Sequence, residues 1–166
     1  MNFFLFSGVP NSGKTTAVKN IYDHLSSNGY IVTFAVIPPL PLTSSLAPQD
    51  FSCIMSNGTR TIIIHSACDA PDVIDRLIDL YNANPGVDAI ISSIRAPISS
   101  IYGHPLDPRT YFLDHLQPYS PGNYCLELPV GKINGNRAFY TTVLLWHHST
   151  ITSTAHHILS NSPFNL

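Results

Sequence analysis

Runs of apolar residues along this chain follow two spacings, one that suits a buried strand and one that suits a helix lying on a sheet. Asn2 to Ser7 is a continuous apolar, aromatic-rich run ended by Gly8, the pattern of a parallel strand buried on both faces. Val18, Ile21, Tyr22 and Leu25 then recur at helical spacing, which predicts one apolar stripe on a helix that stops near Gly29. Tyr30 to Ile37 is β-branched and apolar and reads as a second strand, stopped by Pro38 and Pro39. Residues 38–59 read mostly as loop. Arg60 to Ser66 gives a third strand, and Val73, Ile74, Leu77, Ile78 and Tyr81 mark a second helix ending near Asn84-Pro85-Gly86. Val87 to Ile94 is the fourth strand. From Ala96 to Asn123 the chain is rich in Pro, Tyr and Gly, with at most a short helix around Tyr111 to Leu116. A segment this long and irregular inside a compact domain points to a lid or an acceptor-binding loop. Asn134-Gly135 predicts a hairpin turn, Ala138 to Trp146 the last strand, and Thr152 to Leu159 a short closing helix.

Strands alternating with amphipathic helices imply right-handed crossovers and an α/β fold with a mostly parallel sheet of about five strands. At 166 residues the chain is expected to form a single domain. Composition narrows the partners. The net charge of −2 supplies no basic field, so nucleic acid is a disfavoured partner that only a local patch would hold. Charged residues make up only 11% of the chain, so each is informative: the lysines are Lys14, Lys19 and Lys132, and Glu127 is the sole glutamate. Cys53, Cys68 and Cys125 show no C-x-x-C spacing and read as reduced thiols. No apolar run approaches the ~20 residues that span a bilayer, and Phe3 to Phe6 is too short for a signal-peptide core. The expectation is a soluble, cytoplasmic protein without a membrane partner. Its oligomeric state is left open.

One motif carries chemistry. Gly8-Val9-Pro10-Asn11-Ser12-Gly13-Lys14-Thr15 matches G-x-x-x-x-G-K-[ST], with a strand before it and a helix after it. The spacing lets successive backbone N–H groups curl around a phosphate, and the glycines permit the close approach. The N-terminus of the following helix adds unpaired N–H groups and the positive end of its dipole. In such a loop Gly8, Pro10, Asn11, Ser12, Gly13, Lys14, Thr15 and Thr16 surround the nucleotide. Lys14 reaches the β- and γ-phosphates and the Thr15 hydroxyl ligates magnesium. On these residues the chain resembles the P-loop kinases, which include the nucleoside monophosphate kinases and adenylylsulfate kinase. The resemblance covers the loop and, loosely, the strand and helix order through about Arg95. It implies a three-layer P-loop NTPase fold that uses ATP and Mg2+. No N-K-x-D or D-x-x-G motif of a Ras-type GTPase is present.

The resemblance also implies an acid at the end of a strand beside the loop's strand, holding the magnesium shell or taking a proton from the nucleophile. The third strand is the natural source, yet Thr61-Ile62-Ile63-Ile64 runs into His65 and the first acid is Asp69. Asp69 is thus a catalytic and metal candidate, and with Asp72 it also reads as a cap of the second helix. Asp72 and Asp50 stand behind it. Arg95, directly after the fourth strand, and Arg109, within the irregular segment, are candidates to neutralise charge on a transferring phosphoryl group. His65 is a candidate polar residue on the phosphate side. The doublets His147-His148 and His156-His157 lack the companion spacing of a known metal site. Tyr102, Tyr111, Phe112, Tyr119 and Tyr124 suit either base stacking or core packing. Two functions are compatible with this pattern. One is a kinase moving the γ-phosphoryl of ATP to a hydroxyl or phosphate acceptor, a small nucleotide or a modified base such as a viral hydroxymethylpyrimidine in DNA. The other is an ATP-dependent switch acting on a protein partner.

Overall fold

The computed structural model describes residues 1–37, 50–96, 107–132 and 137–166, the side chains of 137–142 excepted. In chain order the elements are β1 (Asn2–Gly8), α1 (Lys14–Ser27), β2 (Ile31–Ile37), β3 (Ser52–Ser56) and β4 (Thr61–His65), followed by α2 (Pro71–Asn82), β5 (Ala89–Arg95), α3 (Pro108–Leu116), β6 (Tyr124–Pro129) and α4 (Arg137–Leu159). They form an α/β fold around one six-stranded sheet of order β2-β3-β4-β5-β1-β6. Pairs β1–β5, β1–β6 and β4–β5 are parallel, while β3 is antiparallel to both β2 and β4. Among these strands only β3 is reversed.

The period-2 alternation of β1 splits the core in two. Phe4 and Phe6 face Val18, Ile21 and Leu25 of α1 and Ile151, Ala155 and Leu159 of α4. Phe3 and Leu5 face the opposite side, with Ile74 and Leu77 of α2 and Phe112 and Leu116 of α3. Helices therefore cover both faces, and the continuous apolar runs of β1, β4 and β5 are the consequence.

The architecture departs from the sequence expectation in three places. The sheet has six strands, not about five. β3 lies in the stretch read as loop, and β6 was given no element. Most consequentially, residues 138–146, expected as the last strand, form the first turns of α4. Phe139, Tyr140, Thr141, Thr142 and Val143 have strand propensity, but propensity yields to tertiary packing. Further along, Ile151, Ala155 and Leu159 are buried four apart while Ser153 and His157 between them are exposed, the pattern of a helix lying on α1 rather than of a strand. The Asn134-Gly135 turn and residues 97–106 of the lid segment lie outside the described residues. The other half of that segment contains α3, one turn longer at its start than expected, with Asp107 capping it through Thr110 N–H at 3.0 Å. Cys53 and Cys68 are buried free thiols, each pushed up to about 12 by that burial. No helix among the described residues is long and apolar enough to cross a membrane.

Candidate functional site

β1 delivers the glycine loop to the carboxyl edge of the sheet, between its two parallel neighbours. Ala96 N–H donates to the Gly8 carbonyl at 3.2 Å from the β5 side, and Val130 N–H to the Ser7 carbonyl at 2.6 Å from the β6 side. A Cβ on Gly8 would meet the Val130 carbonyl at 2.6 Å, so only glycine fits this crossing. Asn11 and Gly13 have φ of 60° and 96°, in the left-handed region, and Gly13 is the N-cap of α1. These left-handed residues bring the loop to the positive end of a fourteen-residue helix, and within the loop Ser12 N–H donates to the Val9 carbonyl at 3.3 Å. Ser12 Oγ is buried at the loop with no hydrogen-bond partner among the described residues. Pro10 and Asn11 are exposed, and Thr16 is half-buried in the first turn of α1.

Lys14 bends back over this loop. Its side chain is buried and its Nζ donates to the Val9 carbonyl at 3.1 Å. Burial lowers its pKa, and the carboxylate of Asp69 opposes that shift.

The acids arrive by a route the sequence concealed. β4 is not beside β1, because β5 intervenes, and β5 ends in Ser93-Ile94-Arg95 without an acid. Asp69 reaches across from the segment after β4. That segment is pinned to β5 by Ser92 Oγ donating to the His65 carbonyl at 2.7 Å and Ser93 Oγ donating to the Ser66 carbonyl at 2.9 Å. The N-cap of α2 is Ala70, without a side-chain cap, so Asp69 does not cap the helix. Its Oδ1 lies 3.1 Å from Arg95 Nε and 3.9 Å from Lys14 Nζ.

Asp50 comes from the other direction. Because β3 is reversed, its start lies beside the end of β4, with Ser52 opposite His65. Phe51 N–H donates to Ser66 Oγ at 2.8 Å, and Ser66 N–H to the Phe51 carbonyl at 3.0 Å. So anchored, Asp50 accepts from Thr15 Oγ1 at 3.2 Å. Its placement follows from a strand hidden in an apparent loop. The apolar run Cys53-Ile54-Met55 was the available signal.

Lys14, Thr15, Asp50, Asp69 and Arg95 thus meet at the start of α1. No family model, curated protein or solved structure matches this chain. What the site can do is set by its own geometry: a glycine loop at a helix N-terminus with one lysine over it, bordered by a hydroxyl and two carboxylates. Oxygen donors of this kind suit a hard cation such as Mg2+, which takes one or two carboxylates and completes its shell with phosphate and water oxygens.

The remaining candidates are placed elsewhere. Arg109 is buried in a two-pronged pair with Glu127, at 3.0 and 2.8 Å, and donates to the Arg95 carbonyl at 2.8 Å. It stands one layer behind Arg95 and ties α3 to β6. Burial pushes the Glu127 carboxyl up, but hydrogen bonds from Arg109, Ser7 and Tyr119 outweigh it and hold the pKa below the usual range. His65, expected on the phosphate side, is buried in the sheet with Nδ1 2.9 Å from Ser52 Oγ, and burial lowers its pKa to about 4. It follows Ile64 by one residue, so it shares the α2 face with Ile63. Phe112 is in the core, Tyr111 donates to Asp75 at 2.6 Å and Tyr119 to Glu127 at 2.8 Å. Tyr124 sits edge-on to Phe164, and Tyr102 lies outside the described residues. His148 packs against Gly13, and His156 stacks on His24 at 3.8 Å between centroids.

Proposed function

We propose that this chain is a small P-loop kinase with the three-layer fold of that class, binding ATP with Mg2+ and passing the γ-phosphoryl group to a hydroxyl or phosphate acceptor. The observation that carries the reading is the convergence on one helix N-terminus of Lys14, arched over a left-handed glycine loop, with Asp69 and Arg95 beside it. The loop takes the β-phosphate on backbone N–H groups, and Lys14 offsets charge on the β- and γ-oxygens. Thr15, Asp50 and Asp69 would hold Mg2+ through oxygen atoms, and the ion would supply positive charge to the phosphate oxygens. In the transfer the acceptor oxygen bonds to the γ-phosphorus as the bridge to the β-phosphate breaks. In this reading Asp69 accepts the acceptor's proton and Arg95 faces the charge on the phosphoryl oxygens. Arg109 positions Arg95 through its carbonyl. The three free thiols suit a reducing, cytoplasmic setting.

One observation favours the second reading, an ATP-driven switch: β5, which lies between β1 and β4, ends without an acid. Turnover separates the two. γ-Labelled ATP is incubated with nucleosides, nucleotides and hydroxymethylpyrimidine DNA, and label moving to one acceptor class is the expected result. Slow hydrolysis that no acceptor accelerates, but a protein partner does, would replace the kinase by the switch.

A further inference from the structure

Among the described residues, the ionisable ring packed on the glycine loop comes from α4, and the chemistry above makes no use of it. His148 Nε2 lies 2.7 Å from the point that a Cβ on Gly13 would occupy. The turn at φ 96° and the ring above it both demand glycine there. The half-buried His148 lines one small hollow together with Gly13, Ala17, Asn20, Val130, Ile151 and Thr152. Asn20 Nδ2 donates to Thr152 Oγ1 at 2.9 Å and holds α1 and α4 together at that place. Nε2 itself is buried with no hydrogen-bond partner among the described residues.

The groups around the ring decide its charge. From α1 it meets Gly13, Ala17 and Asn20, all neutral, with Lys14 next along the chain; from the end of β6 it meets Val130; on α4 its ionisable neighbour is His147. None of these is an acid. Burial, and then His147, lower the pKa of the ring, so it is neutral at pH 7 when the loop is empty. A polyphosphate seated against the N–H groups from Gly13 onward brings several negative charges to the other side of one backbone turn. That is the change that favours imidazolium and gives the orphaned nitrogen a proton with a charge to face.

We infer that His148 is the proton-linked member of the nucleotide site, taking up a proton when a polyphosphate occupies the glycine loop. This rests on the nucleotide reading above. Its consequence is that nucleotide affinity rises as pH falls toward 6.

Calorimetry of MgATP binding at pH 6.5, in two buffers of different ionisation enthalpy, tests it. The parent is expected to take up about half a proton or more per nucleotide, and His148→Gln close to none. Between pH 8 and pH 6 the parent's affinity should rise roughly 3- to 10-fold, and that of the variant by less than about 2-fold. A ring C–H resonance of His148, followed in the parent during MgATP titration, reads the same event without a variant and should move toward its protonated position. Binding with no proton uptake, or equal uptake by parent and His148→Gln, would overturn the inference and leave the nucleotide reading standing. No MgATP binding by the folded parent at any pH would overturn both.

Discussion

Lys14 answers to two environments at once. Its ammonium is largely buried, which lowers its pKa, while the Val9 carbonyl and the Asp69 carboxylate hold it over the loop. A buried cation with one half-exposed carboxylate as its ionic partner is poised for a larger anion. Lys14→Ala is therefore expected to weaken MgATP binding roughly 10- to 100-fold with unfolding free energy changed by no more than about 1 kcal/mol. Calorimetry beside a denaturation curve measures both, and parental affinity in the variant would remove the phosphate role. The two acids separate by what each touches. Asp69 faces Lys14 and Arg95, so Asp69→Asn should lower single-turnover rate on the order of 100-fold with nucleotide affinity less affected. Asp50 faces Thr15, so Asp50→Asn should weaken the dependence of nucleotide affinity on Mg2+ while Mg2+-free affinity holds or improves. If Asp69→Asn kept the parental rate and Asp50→Asn lost it, the two assignments would have to be exchanged.

At the scale of elements, the segments around the motif were legible because each obeys one period. β1, β4, β5, α1 and α2 have continuous apolar runs or a single helical stripe, and their positions follow from residues such as Phe3 to Phe6 or Val18, Ile21 and Leu25. The misread elements are those whose state is decided by a neighbour. The β-branched and aromatic start of α4 is helical because Ile151, Ala155 and Leu159 dock on α1, a fact of packing that local propensity does not contain. β3 and β6 are short; β3 sits in a stretch rich in turn residues, and β6 pairs with β1, more than a hundred residues before it. The same limit governed the site: the loop residues are contiguous and were found, whereas Asp50 depends on the reversed β3 and Arg109 on Glu127. That last pair offers an element-level test. Glu127→Gln takes away the carboxylate that holds the Arg109 guanidinium at two points, and a loss of roughly 2–4 kcal/mol is expected. Because Arg109 also holds the Arg95 carbonyl, turnover should fall in the same variant. Arg109→Met together with Glu127→Gln should recover part of the stability, since no buried guanidinium then faces a neutral amide. A double variant no more stable than Glu127→Gln alone would show that the pair acts through packing rather than charge.

For the whole molecule, buried ionisable groups set the response to acid, and His65 dominates because it lies in the sheet. Its pKa is lowered by burial from 6.5 to about 4. Between those values the unfolded chain binds a proton at this residue that the native chain refuses, so stability rises with pH across the window and falls as the solution is acidified. The size is on the order of 3 kcal/mol from pH 6.5 down to 4, a large share of the stability of a domain this size. Glu127 acts lower down. Its folded pKa lies below the usual carboxyl value, so its contribution is present above that value and is lost only as pH falls through the folded one. Two adjacent windows result, the histidine first and the carboxylate after it. Urea unfolding of the parent and of His65→Gln at pH 7, 6, 5 and 4.5 distinguishes them. Glutamine keeps a polar group near Ser52 but cannot titrate, so the variant should be less stable at pH 7 and lose less on acidification, the two curves converging toward pH 4.5. His148 and His156 are also depressed by burial, and they acidify alike in both proteins, so the difference isolates His65. Curves that stayed parallel from pH 7 to 4.5 would mean that His65 is protonated in the native sheet, with Ser52 accepting from its ring.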